Sequence, residues 1–303
     1  MQLSAYLTIL VGVIPSMCAG MLATFAVTLI FKTSYTTNFA QGVISALGAY
    51  AAVEFTLMHG YTLWQVAFIG ILVAFLLGVA IDVLIFRNGR YVNALGKQII
   101  TMGLISILIG LIPFVFKVAH LESIPAQPFV HLSKGFQLGD VFVAYNTLIG
   151  LGVSVVLLVA VFLMLQKSKW GLSVRATASN EIVAGMMGVN TKVITAISWG
   201  IAGAFGAVAA ILYIGNVTLS NGYIMTNTQI NAFLAGILGG FSTFYGPIWG
   251  CVIIYMLNVL VGCACVHMEK LSNWKEAIVY LLVMLLVLMK PQGLFGKKMV
   301  KKV

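Results

Sequence analysis

Long apolar runs recur along the whole chain and limit the folds that it can adopt. Residues 5–31, 63–86, 141–165 and 193–214 are runs of this kind. A helix needs about 20 apolar residues to cross a bilayer, and the alternating segments of about ten residues that build a membrane barrel are absent here. The sequence therefore predicts an all-α, polytopic transmembrane helix bundle.

The composition supports this reading and explains the charge. Hydrophobic residues make up 61% of the chain and charged residues 8%, while the net charge is +10. In a soluble protein that charge would suggest a nucleic-acid partner. In a membrane protein the positive-inside rule accounts for it, because Lys and Arg collect in cytoplasmic loops. We expect a lipid bilayer as the environment and no nucleic acid as a partner.

The spans and their orientation follow from the run boundaries. About nine spans are predicted, with eight or ten as alternatives because residues 5–31 and 224–246 are irregular. Pro15 in the first of these could kink a helix or separate an entry piece from the span. With the C-terminus in the cytoplasm and the N-terminus outside, 13 of the 17 basic residues lie in inside loops. The remaining spans are expected at about 42–58, 99–116, 232–240 (or from about 224), 248–266 and 278–289.

The longest polar interruption in the second half of the chain, residues 167–192, contains a short helical pattern. Ser179 is a candidate N-cap, Glu181 lies in the first turn, and Gly188 supplies a left-handed stop. Four apolar residues, 182, 183, 186 and 187, share one face of this helix. The helix either docks into another protein or lies on the membrane surface or its own chain.

Groups that could perform chemistry are scarce. The sequence contains no nucleotide-binding, zinc-protease or nucleophile-elbow motif, so no catalytic or metal-binding residue is assigned. The four cysteines lie in or beside apolar segments and are interpreted as packing residues. Glu54 and Asp82 come closest to the membrane interior; we interpret Glu54 as snorkelling outward and Asp82 as an interfacial partner of Arg87. The chain shows no energy source of its own.

Four motifs of this sequence resemble motifs in the permease subunits of bacterial ABC importers for branched-chain amino acids. They are Asn38-Phe39-Ala40-Gln41-Gly42 with residues 47–50, LGAY; residues 171–190, which include Gly171-Leu172, Arg175-Ala176 and Gly188-Val189-Asn190; residues 235–240, AGILGG, with Gly246-Pro247; and residues 290–296, KPQGLFG. One departure is residues 87–90, RNGR, where relatives tend to have a run like RPLR.

The resemblance implies one transmembrane permease domain, residues 1–303, in a bacterial inner membrane. It implies a second permease subunit, two cytoplasmic ATPases that carry ATP and Mg, and a periplasmic solute-binding protein. This chain would bind no cofactor itself. Residues 167–192 would form the cytoplasmic ATPase-docking loop, and residues 290–303 a basic cytoplasmic tail.

Alternating access would then connect two sets of residues. The docking set is Gly171, Arg175, Ala176, Asn180, Glu181, Ala184, Met187, Gly188 and Asn190. The path or gating set is Thr37, Asn38, Phe39, Gln41, Gly42, Gly48, Tyr50, Gly203, Gly239 and Gly240. For Asn38 and Gln41, hydrogen bonds between helices remain an equal alternative to contact with substrate.

Three rival functions stay open at this point. The first is a related permease for a sugar, urea or another small polar solute. The second is an ion-coupled carrier or channel that acts alone, and the third, a membrane enzyme, is disfavoured because no paired catalytic groups are visible.

Overall fold

The computed structural model describes residues 2–89, 92–121, 123–265 and 273–296. Within these residues the chain forms eleven α-helices and one small β-hairpin, which confirms the all-α prediction. The helices are α1 (Gln2–Ser34), α2 (Gln41–His59), α3 (Leu63–Ile81), α4 (Ala94–Val115), α5 (Tyr145–Lys167), α6 (Lys169–Ser179), α7 (Glu181–Met186), α8 (Thr191–Ile214), α9 (Thr226–Gly239), α10 (Gly246–Cys265) and α11 (Lys275–Met289).

Seven of these helices are long and apolar enough to cross a membrane. They are α1 to α5, α8 and α10. The helices α9 and α11 are shorter, with 14 and 15 residues, and both pack against α10 in the bundle. Together these nine elements agree with the prediction of about nine spans in a multi-pass membrane protein. The seventh predicted span corresponds to α9. Because α9 begins at Thr226, the predicted start at about residue 224 is closer than the start at residue 232.

At the centre of the bundle, α2, α3 and α8 pack against one another through small residues, and α1 packs on α8. A methyl group added at Gly48 would lie 2.6 Å from Cβ of Ala207, and one added at Gly203 would overlap the carbonyl of Ala74. Such close approach is how helices associate in lipid, where hydrophobic burial supplies little drive. Trp199 of α8 is fully buried at this crossing. The faces of α2 and α8 that carry small residues are therefore in contact.

The predicted start of the fifth span is wrong. The fifth span was expected from residue 141, but residues Val141–Ala144 form a strand that pairs antiparallel with Gly135–Leu138, and the helix begins at Tyr145. A short apolar strand that runs straight into an apolar helix cannot be separated from it by hydropathy. At the N-terminus, Pro15 does not divide the first segment, because α1 is a continuous helix.

The two intramembrane acids occupy specific structural positions. Glu54 does not simply snorkel to water, because its Oε2 accepts a hydrogen bond of 3.0 Å from the backbone N–H of Val118. Asp82 is 4% exposed and opens a π-helical turn, Asp82–Phe86, that continues α3. The backbone N–H of Arg87 donates to the carbonyl of Asp82 at 2.7 Å. This backbone bond ends the π-helical turn at Arg87, and the predicted ion pair between the two side chains stays a prediction.

Contacts between loops show which loops lie at the same end of the bundle. At one end Lys32 Nζ donates to the carbonyl of Ser242 at 2.9 Å, and α6 and α7 lie there too. At the other end Asn146 Nδ2 donates to the carbonyl of Gly215 at 3.3 Å. The end with Lys32 is the one that the charge distribution assigns to the cytoplasm.

The described part of the C-terminal tail, residues 290–296, folds back onto α9. The backbone N–H of Leu294 donates to the carbonyl of Leu238 at 2.7 Å, and that of Phe295 donates to the carbonyl of Gly239 at 3.2 Å. These bonds satisfy two carbonyls at the end of a helix. The third and fourth sequence motifs therefore meet. The rest of the predicted basic tail, residues 297–303, lies outside the described residues, as does Arg90.

Candidate functional site

A non-helical break joins α1 to α2 inside the bundle. Residues 35–38 are irregular and residues 39–40 form a turn. Thr36, Asn38 and Gln41 are nevertheless buried, with exposures of 1%, 1% and 2%. A break of this kind is tolerated at membrane depth only where other protein groups satisfy its backbone, and broken helices of this type build the binding sites of many transporters.

Side chains within and beside the break satisfy its backbone. The backbone N–H of Ala40 donates to Oδ1 of Asn38 at 3.0 Å, and Nδ2 of Asn38 donates to Oε1 of Gln41 at 3.2 Å. From α4, Oγ1 of Thr101 accepts a bond of 3.2 Å from the N–H of Phe39. Also from α4, Gln98 donates to Oγ1 of Thr37 at 3.3 Å. The polar residues singled out in the first motif hold an unwound segment in place.

Gln229 of α9 is the functional candidate that sequence reasoning missed. Its Oε1 accepts a bond of 2.6 Å from the N–H of Gly42, and its Nε2 donates to the carbonyls of Asn38 and Phe39 at 3.1 and 2.5 Å. One side chain thus ties the start of α2 to the start of α9. The only sequence signal was its position within a polar segment, residues 216–231.

The break reaches the middle of the bundle. Nε2 of Gln41 donates at 2.9 Å to the carbonyl of Ala202, which lies halfway along α8. A cavity of about 180 Å³ adjoins the break between α2, α4 and α9. Phe39 and Phe233, whose rings are 5.2 Å apart, line it together with Gln229. A polar break beside a small, largely apolar cavity is suited to a gate or to a small amphiphilic solute.

The remaining path candidates lie elsewhere. Gly48 and Gly203 belong to the α2–α3–α8 crossing, where they permit close packing. Tyr50 is buried near Phe116, with ring centroids 6.2 Å apart. Gly239 and Gly240 lie at the end of the bundle that carries Lys32, against the start of α10 and the C-terminal motif. The structure therefore brings together Thr37, Asn38, Phe39, Gln41 and Gly42 and separates the other five.

The predicted docking loop contains two helices rather than one. The helix α6 begins after Ser168, which accepts from the N–H of Gly171 at 2.9 Å, and it ends at Ser179. Ser179 is therefore not the N-cap of the second helix. Asn180 takes that role, since its Oδ1 accepts a bond of 3.1 Å from the N–H of Val183. The predicted stop is confirmed, because Gly188 has φ +86°.

The other docking candidates have distinct positions in this loop. Gly171 and Ala184 are buried, and a methyl group on Gly171 would overlap backbone carbonyls at the end of α5. Arg175 is exposed and Ala176 is partly buried on α6. Asn190 caps α8, accepting from the N–H of Val193 at 3.3 Å.

The helix α7 presents an apolar surface away from the bundle. Ile182, Val183, Met186 and Met187 are 76%, 51%, 82% and 80% exposed, as the shared face in the sequence predicts. An exposed apolar patch rimmed by polar residues marks an interaction site. We call these four residues the α7 patch.

The first residue of α7, Glu181, lies beside a group of charged side chains. Glu181 lines a cavity of about 40 Å³ together with Asp82, Arg87, Lys97 and Lys192. The cavity has room for about one water molecule. Acidic and basic side chains therefore line one cavity beside α7, which itself contacts α6 and α8.

Comparisons with known proteins point to one family. The family model described as "Branched-chain amino acid transport system / permease component" matches residues 6–288. The chain is 28% identical over 251 residues to the probable branched-chain amino acid transport permease protein LivH of Methanocaldococcus jannaschii, covering 79% of this chain and 76% of that protein. It is 26% identical over 285 residues to LivH of Salmonella typhimurium, covering 88% and 87%. It is also 25% identical over 254 residues to the fructose import permease protein FruF of Bifidobacterium longum, covering 80% and 67%. No solved structure matches the chain.

Proposed function

The chain belongs to the branched-chain amino acid transport permease family, and we propose that it moves branched-chain amino acids across the cytoplasmic membrane by alternating access. It is a transport subunit and not an enzyme. Hydrolysis of ATP, with its Mg, belongs to partner ATPases. The family match over residues 6–288 supports the substrate class, and the α7 patch supports the coupling to a partner.

The single observation that carries the proposal is the α7 patch at the end of the bundle rich in basic residues. A helix with four exposed apolar residues outside the spans needs a partner surface. We assign that surface to a cytoplasmic ATPase, with a second ATPase docked on a second permease subunit. A solute-binding protein delivers the amino acid on the opposite, outer side.

The segment of residues 36–41 is the proposed gate. Its polar groups bond to α4, α8 and α9, so a change in the spacing of these helices changes the segment directly. ATP-driven closure of the ATPases would move α7, and the bundle would pass that motion on to the gate. Asn38 and Gln41 would act there as gate residues held by hydrogen bonds between helices.

The direct test is assembly and uptake. The chain is coexpressed with candidate ATPases, a second permease and a solute-binding protein of the same organism, and the purified complex is reconstituted into vesicles. We expect copurification of two ATPases and a second permease, and ATP-dependent uptake of labelled leucine. Uptake by this chain alone, without ATPases, would overturn the proposal in favour of an ion-coupled carrier.

A variant of the α7 patch tests the docking surface. Met186→Ser removes an exposed apolar side chain and should weaken copurification of the ATPases without unfolding the permease. Leu121→Ser is the control, because Leu121 is also exposed, at 49%, but directly follows the one-turn helix Lys117–His120 at the opposite end of the bundle. Equal ATPase recovery with both variants would contradict docking through α7.

The second candidate is a sugar permease, favoured by the similarity to the fructose import permease FruF. The same vesicles distinguish the two substrates. Uptake of labelled fructose that exceeds uptake of leucine would select the sugar and leave the ATPase docking unchanged.

A further inference from the structure

Tyr35 joins the docking loop to the break and has an unusual backbone conformation. Its φ is +48°, and within the described ranges it is the one non-glycine residue with a left-handed φ. For a residue with a bulky side chain this conformation costs about 1–2 kcal/mol and persists only where the surroundings hold it.

A hydrogen bond to α6 holds this conformation. The hydroxyl of Tyr35 donates to the carbonyl of Ala178 at 2.9 Å, in the last turn of α6. The ring itself is 50% exposed, so packing constrains it weakly. The carbonyl of Ala178 lies among the last four of its helix, which have no partner within the helix.

The residues on both sides of Tyr35 are fixed in different ways. Before it, Oγ of Ser34 accepts from Nε1 of Trp199 at 3.0 Å, which anchors the end of α1 to α8. After it, Thr36 is 1% exposed and the chain enters the break, where Asn38 is three residues away. Tyr35 is therefore the one residue that separates an anchored helix end from the proposed gate.

We propose that Tyr35 is a positioning residue that couples movement of α6 and α7 to the break. This inference rests on the proposed function. With its hydroxyl on α6, Tyr35 stays left-handed and sets the direction in which residues 36–41 enter the bundle. When α6 moves and the bond is lost, φ returns by about 110° to the usual negative region and redirects these residues. Hinges of this kind absorb a large dihedral change at one or two positions.

Tyr35→Phe tests the coupling, since it removes the hydroxyl and keeps the ring and the backbone. Tyr245→Phe is the matched control, because Tyr245 lies at the same end of the bundle and is 49% exposed. The first measurement is hydrogen exchange on the full chain in detergent. We expect Tyr35→Phe to raise exchange of residues 36–41 about twofold to tenfold, as the loss of one hydrogen bond predicts. Exchange in α8 should stay unchanged.

The second measurement uses the reconstituted complex and compares uptake per ATP hydrolysed. Tyr35→Phe should assemble normally, keep basal hydrolysis, and lose about twofold to tenfold in uptake per ATP, while Tyr245→Phe matches the wild type. Tyr35→Gly, which adopts the left-handed φ without strain but loses the contact, should lose coupling as well.

The outcomes separate the two proposals. If the wild-type complex takes up neither leucine nor fructose, the proposed function fails, and the exchange measurement still decides the role of Tyr35. If the wild type transports and Tyr35→Phe matches it in uptake per ATP, the coupling through Tyr35 is overturned alone. Exchange that rises equally in residues 36–41 and in α8 would show a general loss of stability and would also overturn it.

Discussion

Replacing Gln229 with Ala should weaken the attachment of α9 to the break by an amount that its contacts predict. The side chain makes three hydrogen bonds, at 2.5, 2.6 and 3.1 Å. Bonds between membrane helices contribute about 0.6 kcal/mol each on average, so we expect a loss of about 2 kcal/mol in the free energy of unfolding. The backbone N–H of Gly42 and two carbonyls of the break would lose their partner together.

Equilibrium unfolding in mixed micelles measures this loss in the free energy of unfolding. Gln98→Ala is the variant with which it is compared. Gln98 makes one longer bond to the same break, 3.3 Å to Thr37, so its removal should cost about 0.6 kcal/mol or less. In the reconstituted complex, Gln229→Ala should also reduce uptake more than Gln98→Ala does. The reasoning would be refuted if the two variants unfolded at the same denaturant concentration and transported equally well.

Further outcomes concern packing, capping and burial. Gly203→Ala, whose methyl group would overlap the carbonyl of Ala74, should destabilise the permease by about 1–3 kcal/mol in the same unfolding assay. Gly103→Ala, which has open space around it, should not, and equal effects would contradict the close crossing. Asn180→Ala should cost about 1 kcal/mol of α7 stability through its lost cap and reduce the ATPase stimulation that the loaded binding protein produces; unchanged stimulation would separate capping from coupling. Cys251, 1% exposed, should resist a maleimide until the bundle unfolds, as mass spectrometry of the labelled chain can verify, and rapid labelling of the folded protein would show that α10 is packed differently.

The spans and the helix α7 could be predicted because each leaves a local pattern. Long apolar runs predict the helices, and the spacing of residues 182, 183, 186 and 187 predicts the exposed face of α7. The polar composition of residues 33–42 indicates a special segment before α2. In these cases the sequence pattern and the structural feature involve the same neighbouring residues.

The contacts that the sequence did not predict join residues that lie far apart in the chain. Gln229 acquires its role because α9 brings it to residues about 190 positions earlier in the chain. No local sequence pattern indicates that contact. Tyr35 likewise depends on a carbonyl 143 positions away. The hairpin at residues 135–144 was missed for a different reason, since its second strand is as apolar as the helix that follows. Both long-range contacts lie at helix breaks, where local preference alone does not fix the backbone.

The distribution of close packing and of breaks indicates where motion is absorbed. The crossing of α2, α3 and α8 is tightly packed through glycines, and a shift there would force backbone atoms into overlap. The break before α2, by contrast, is held by hydrogen bonds from side chains, which can exchange partners when helices shift. Under the proposed mechanism, a displacement of α7 would reach the bundle through α6 and α8, the two helices that α7 contacts. The displacement would then be absorbed at residues 36–41, beside the cavity that Phe39 and Gln229 line.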